Sequence, residues 1–524
     1  MAKLLPFCLA FLCVHCVRAT TQLRRPNNCD IIVEPVAGEI QRAADAIHAS
    51  ALSHVVNSTL TVCLRAGVHD VSKTPLKFSN LAMPVRWVGD PGAIVSAGVQ
   101  LTGWRLTTLG SGPAYAAAVP PGTFISPAVA RQLWVGGRRA NRTSISVSSL
   151  LGRLTPWHSA DGMVTGFITQ HAPPAIWTEN ATSSIEFTWP LVVKNWISPR
   201  CTIATISGTN ITLAKPCGGF LLTRCEGAAL PPPVNAEAVP AGAFPLTPGT
   251  FYHDVVGESI FYALAHGQTA ADLENDAWIT SSEVLISYTN VSGHEWNGVT
   301  FSYSTWLQPN TGDGFVDDQS AVYDCTPGAP NCNINAVNRR RSASALSGSL
   351  RGPPQGTGEP RGNIRVSRGR FISFVNCTFE HLGAPYALSV MEASQNVSVS
   401  GCRFRDLSGG FLKFGSIGVT DGNSSDPDMW DAFLSATDNT ASNLALEYTG
   451  AAGFFGGFIW RSDVSHNTVS DAGALHVPAR VVQGATPPPS GLLIGRRYVC
   501  DGAQNHYLCS TYLFPQAQDI LVLA

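Results

Sequence analysis

The chain has 524 residues, 13% of them charged and 44% hydrophobic, with a formal net charge of −2. That composition excludes a disordered chain, and the near-neutral balance offers neither a basic surface for nucleic acid nor an acidic cation buffer. The length fits two or three domains, and 49 glycines and 35 prolines mark a turn-rich chain.

The chain opens MAKLLPFCLAFLCVHCVRATT. Lys3, an apolar run over 4–17 and small residues around Ala19 predict a secretory signal peptide over 1–19. No later run reaches the ~18 apolar residues of a membrane span. A secreted or lumenal protein without a membrane partner is expected. Sequons at Asn57, Asn141, Asn180, Asn210, Asn290, Asn376, Asn396 and Asn423 agree with that route and predict surface positions. Of fourteen cysteines three fall in the leader, leaving eleven, so at least one thiol is unpaired. Cys325 with Cys332 and Cys201 with Cys217 are candidate pairs.

After the leader, IIVEPV (31–36) reads as a strand. EIQRAADAIHASAL (39–52) is helical, with Ile40, Ala44, Ile47 and Leu52 on one face. Short β-runs between Gly, Asp and Pro follow, as in STLTVCLRAGVHDV (58–71). From about 104 to 260 the strands lengthen and alternate, as in RQLWVGGRRANR (131–142), SIEFTWPLVVKNW (184–196) and TIATISGTNITLAK (202–215). This predicts an inserted β-sandwich between an N-terminal segment (20–103) and a main segment (261–473).

Within the main segment a single template recurs. NGVTFSYSTW (297–306), VNCTFEHLG (375–383), SGCRFRDLSG (400–409), TDNTASNLAL (437–446) and SHNTVSDAG (465–473) all follow it. Cys377, Cys402, Asn439 and Asn467 then come at spacings of 25, 37 and 28. A period of roughly 20–30 with short strands implies a solenoid. Its equivalent residues stack ~4.8 Å apart, so Phe379, Phe404 and Val469 form an inner apolar ladder and Cys377 and Cys402 are stacked core thiols. The Arg/Gly/Ser/Pro-rich stretch 338–370 reads as a disordered loop.

These motifs, with DGFVDDQS (313–320), RFRDLSGGFLKFGSIG (403–418) and LEYTGAAGFFGG (446–457), resemble the right-handed parallel β-helix proteins of the pectin-lyase-like superfamily. More closely, they look like glycoside hydrolase family 141 and its eukaryotic relatives. The resemblance covers about residues 31–473. It implies an all-β, right-handed parallel β-helix with an N-terminal capping helix and an inserted β-sandwich. It also implies a carbohydrate-active enzyme of the xylanase or α-L-fucosidase kind. The last 51 residues, 474–524, depart from the template and are expected to form an atypical tail.

Glycoside hydrolysis needs two carboxyl groups flanking one bond. The position after the repeat strand holds His381, Asp406, Asn443 and Asp471. If these stack, Asp406 and Asp471 lie two rungs apart, ~9.6 Å, near the upper end of the ~6.5–9.5 Å used for inversion through a water. Glu447 and Glu380 are closer candidate partners, and His381 is a candidate proton shuttle. Against this, Asp and Asn at such positions also cap turns, and Glu447 fits a structural ion pair. Tyr303, Trp306, Trp430 and Trp460 are candidate sugar-stacking rings, and Arg405 and Lys413 candidate ligands for a sugar. Asp313, Asp317 and Asp318 could gather oxygens for Ca²⁺ but also read as a solvated loop; no metal or other cofactor is required. The expected partner is a polysaccharide or oligosaccharide bound by a monomer. A polysaccharide lyase, using Arg403, Arg405 and Lys413 to neutralise a uronate, and a non-catalytic carbohydrate-binding protein are the alternatives.

Overall fold

The computed structural model describes residues 29–52, 59–124, 129–158, 164–179, 185–190, 198–215, 232–240, 246–319, 321–325, 332–333, 356–416, 426–457, 459–472, 480–482 and 520–523. The leader, Cys217, Asn57, Asn180 and Asn423 lie outside these residues.

The repeats stack as the spacing predicts. Strands Ala93–Ser96, Thr300–Ser304, Thr378–Leu382, Arg403–Leu407, Thr440–Leu444 and Thr468–Ala472 form one parallel sheet. Val95, Phe301, Phe379, Phe404, Ala441 and Val469 occupy one register position on successive rungs. Between visits to that sheet the chain returns each time to a second, larger and equally parallel sheet. The side chains pointing between the two sheets make the core. Phe379 and Phe404 stack with centroids 4.5 Å apart and planes at 7°. Both are buried, and a single Phe so buried stabilises by roughly 1.5–3 kcal/mol.

Cys377 and Cys402 are buried free thiols. The next two rungs replace sulfur with an amide, which is tolerated only because its polar atoms are matched. Asn439 Oδ1 accepts from the Cys402 amide at 2.9 Å, and its Nδ2 donates to Val399 O at 3.0 Å and to Asn467 Oδ1 at 2.8 Å.

Helix Glu39–Leu52 packs on the N-terminal end of this core through Ile40, Ala43, Ala44 and Ile47. Its first turn is fixed by Glu39, whose carboxylate accepts the Glu34 amide at 3.0 Å. The Leu52 side chain is outside the description. A disulfide joins Cys29 to Cys63, a pairing the spacing did not suggest. Cys201 and Cys325 are each disulfide-bonded.

The chain leaves the ladder after Ser96 and rejoins it when Ile286–Asn297 pairs in parallel with Leu76–Gly89. In between run three further, mostly antiparallel sheets, from Val99–Gln100 to Ala277–Ile279. Among the described residues separate cores serve them, one around Trp177, Phe187 and Trp189, one around Leu133, Phe251 and Tyr262, and a smaller one around Ala114, Leu246 and Tyr252. The excursion is wider than the expected 104–260, because Ile279 closes on Val99 and Leu133, a long-range pairing that composition does not mark.

Two more expectations need correction. The predicted loop 338–370 contains strands Gly356–Gly358 and Ile364–Ser367. The second is a rung strand, pairing with Ile286–Asn297 and Tyr386–Met391 and burying Ile364 and Val366. The atypical tail contributes Arg480–Val482 and Ile520–Leu523, which pair in parallel on Phe454–Gly457 and Ser462–Ser465.

Candidate active site

Where each repeat strand bends outward, the backbone takes a left-handed turn. Tyr303, His381, Asp406, Asn443 and Asp471 all have φ between 48° and 57° and stand at one level of successive rungs. The column predicted from the repeat is therefore present, and the insertion divides it. Tyr303 and His381 are buried and stack on each other with centroids 5.2 Å apart; Trp278 covers the other face of Tyr303 at 5.1 Å. Asn443 and Asp471 are exposed.

Asp406 stands at the divide. Its Oδ2 accepts from Trp134 Nε1 at 2.7 Å and pairs with His381 Nδ1 at 2.6 Å; its Oδ1 accepts from Arg139 Nε at 2.9 Å. Burial pushes its pKa up, but the Arg139 charge and the His381 bond outweigh that and hold the carboxyl well below the usual range. Trp134 and Arg139 both come from RQLWVGGRRANR, so this stretch is a docking strap from the insertion onto the column.

Arg131 and Gln132, at the head of the same strap, hold Glu447. Arg131 Nη2 lies 2.7 Å from Glu447 Oε1, and Gln132 Nε2 donates to Oε2 at 2.6 Å. Arg131 also binds Glu186 at 2.5 Å, and Arg142 and Arg200 both bind Glu186 and Glu237. Three guanidiniums thus meet three carboxylates in a seam where Arg131 is fully covered and Glu447 is 10% exposed. Burial opposes ionisation of Glu447, yet the charges of Arg131, Arg142 and Arg200 draw its pKa down to about 2. Asp406 and Glu447 are thus held as anions by their cationic partners with their oxygens occupied, an arrangement suited to fastening the insertion to the ladder.

The remaining predicted residues are scattered. Glu380 pairs with Arg405 at 2.5 Å, and that Arg side chain is 61% exposed. Lys413 is 1% exposed, 2.7 Å from Glu359, donating to Pro360 O at 3.2 Å and lying over Phe455 at 5.3 Å. Trp306 is 5% exposed and packs edge-on against Phe315, Tyr323 and Tyr448. Trp430 and Trp460 stack on each other at 4.5 Å. Asp313 pairs with Lys215 at 3.4 Å, and buried Asp317 accepts the Ser198 amide at 3.1 Å; the Asp318 side chain is outside the description. Among the described residues no three His, Cys, Asp or Glu side chains gather as a metal site would need. Asn141, Asn210, Asn290, Asn376 and Asn396 are exposed.

A concave site lies elsewhere, on the outer face of the large sheet. A pocket of about 250 Å³ is lined by Glu283, Trp306, Leu307, Gln308, Thr311, Tyr323, Glu359, Pro360, Arg361 and Arg365. Two rung strands build it. Ile286 pairs with Ile364, and Asn363 just before that strand donates to Glu283 O at 2.8 Å and Thr305 O at 2.8 Å, binding the two segments that wall the pocket. Glu283 Oε1 accepts the Leu307 amide at 2.7 Å. Glu359 is held by Lys413 and by Ser416 Oγ at 2.6 Å, so Lys413 supports the pocket from behind. Arg361 is ion-paired with Glu392. Arg365 donates only its Nε, to Gly362 O at 2.9 Å; among the described residues its two amino groups have no protein partner. Burial lowers the Arg365 pKa, with Glu283 opposing. Of this set sequence reasoning singled out only Trp306. Glu359, Arg361 and Arg365 sat inside the stretch read as a loop, and nothing local marks Glu283.

No family model matches the chain, and no curated protein matches it. Among solved structures, a glycoside hydrolase is similar over 85% of this chain and 78% of its own, with a TM-score of 0.60 and 18% identity. That likeness is one of fold. XylC in complex with xylose aligns over 84% of this chain and 59% of its own at a TM-score of 0.41 and 10% identity. The gp54 tailspike of Acinetobacter baumannii bacteriophage AP22, in complex with a capsular saccharide, aligns at 0.16 and 7% over 82% of this chain and 55% of its own. Among the described residues no helix is long and apolar enough to cross a membrane.

Proposed function

We propose that this protein is a secreted, monomeric glycoside hydrolase whose parallel ladder is a right-handed β-helix and whose insertion is of the sandwich type. Right-handed crossovers are the near-universal solution for parallel strands. The observation that carries the functional reading is the pocket: two carboxylates, Glu283 and Glu359, with an aromatic wall of Trp306 and Tyr323. Its volume is below the ~300–1,000 Å³ of clefts for drug-sized ligands, which suits a single sugar ring.

The roles follow from the partners. Glu359 has a lysine ammonium at 2.7 Å, which fits it for the base that orients a water. Glu283 has one oxygen anchored by a backbone amide and the other available, so it is the acid that protonates the departing oxygen. Such acid–base assistance is worth typically 10²–10⁴ in rate. Turnover on a panel led by xylosides and α-L-fucosides, which the family resemblance implies, tests this. Glu283→Gln loses about 10²–10⁴-fold with the fold intact, and Glu359→Gln loses as much while also destabilising the fold, because it leaves buried Lys413 uncompensated. Asp471→Asn, on the exposed column, keeps full turnover. Loss in Asp471→Asn alone would move the site to the column.

The open amino groups of Arg365 favour a second reading. They could hold the carboxylate of a uronate, and elimination would then replace hydrolysis. An unsaturated product would identify the lyase.

A further inference from the structure

A second column of left-handed residues runs along the opposite bend, on the large sheet. The registers Arg370–Gln395–Ala432–Trp460 and Ile372–Val397 place Gly293, Phe371, Asn396, Phe433 and Arg461 at one level of successive rungs. Their φ values are 83°, 53°, 54°, 57° and 43°. Glycine and asparagine are at ease there; a bulky aromatic residue is an outlier. Phe371 and Phe433 accept that backbone and are still not buried, the residues being 62% and 45% exposed. Packing does not explain them.

Asn396 lies between them, one rung (~4.8 Å) from each. It is exposed and opens the sequon Asn396-Val397-Ser398. We propose that Asn396 carries an N-linked glycan whose first N-acetylglucosamine lies on the exposed rings of Phe371 and Phe433. A left-handed turn directs all three side chains outward from one edge, so a sugar ring linked to the Asn396 amide leans against a neighbouring aromatic face whichever way it tilts. The apolar face of the sugar covers the phenyl ring, and its hydroxyls turn to water. The glycan thereby caps an apolar strip that would otherwise invite self-association. This assignment is independent of the pocket and of what the protein cleaves.

The test uses the full chain secreted from a eukaryotic host. Peptide mass spectrometry finds Asn396 occupied. Asn396→Gln then raises the fluorescence of a hydrophobic dye and lowers the melting temperature by about 1–3 °C. In a Phe371→Ser/Phe433→Ser background the same Asn396→Gln change moves neither reading, and trimming the wild-type glycan to its first sugar preserves both. An unmodified Asn396, or an Asn396→Gln effect as large without the two rings as with them, overturns the proposal. So does a dimer that buries the strip while the glycan is attached.

Discussion

At the scale of single residues, two of the acids that the sequence put forward are ones the fold has neutralised. Asp406 and Glu447 are held by Arg139, Trp134, Arg131 and Gln132. Their pKa values lie below those of the unfolded chain, so the stability they lend is complete above the unfolded values near 4 and is lost as pH falls through the folded ones. Thermal stability should begin to fall below about pH 6.5, where unfolding lets His253 and His294, held neutral by burial in the fold, take up protons, and should fall further between about pH 4 and 2 as Asp406 and Glu447 are protonated. Calorimetry across that range checks this, and a stability unchanged down to about pH 2 would contradict it. Glu447→Gln leaves Arg131 undercompensated in a dry seam and should cost roughly 3–5 kcal/mol, read by denaturant unfolding. A loss below ~1 kcal/mol would mean the seam is hydrated.

At the scale of elements, the rungs were readable because stacking demands the same residue class every turn. Phe379 and Phe404 could be paired from the sequence because each coil buries an apolar residue at the same point, and these two coils both use phenylalanine. Phe404→Ala should cost about 3–5 kcal/mol through the cavity left under Phe379; Phe371→Ala, on the outer bend, should stay within ~0.5 kcal/mol on the bare chain. The same logic failed where a rung strand lies in polar, arginine-rich sequence. Ile364 and Val366 are the inward apolar residues of their strand, too few to outweigh the flanking Gly, Pro and Arg. The tail strands escaped because long intervening segments hide their spacing.

At the scale of the whole molecule, the all-β class and the column through His381, Asp406, Asn443 and Asp471 were legible, whereas the pocket was not. Columns depend on the repeat, which is local and periodic. The pocket depends on where the insertion returns: Glu283 enters with the first strand after the excursion, and Glu359 with the strand that pairs beside it. No spacing rule connects them. The strap 131–142 reads in sequence as one more strand of the insertion; its fastening role becomes visible only with Arg131 on Glu447 and Arg139 on Asp406. Cutting those links with Arg131→Met/Arg139→Met should loosen the insertion. Hydrogen exchange should then rise around Glu447 and across the strap, while the Phe379–Phe404 rungs remain protected; uniform exchange would mean that the insertion and ladder unfold as one unit.

The most direct measurement is a crystal structure of the protein soaked with the monosaccharide product. The account places the sugar in the pocket against the wall that Trp306 and Tyr323 form, with Glu283 and Glu359 at the anomeric carbon and Arg365 at its rim. Sugar bound instead along Asn443 and Asp471, with the pocket holding only water, would contradict it.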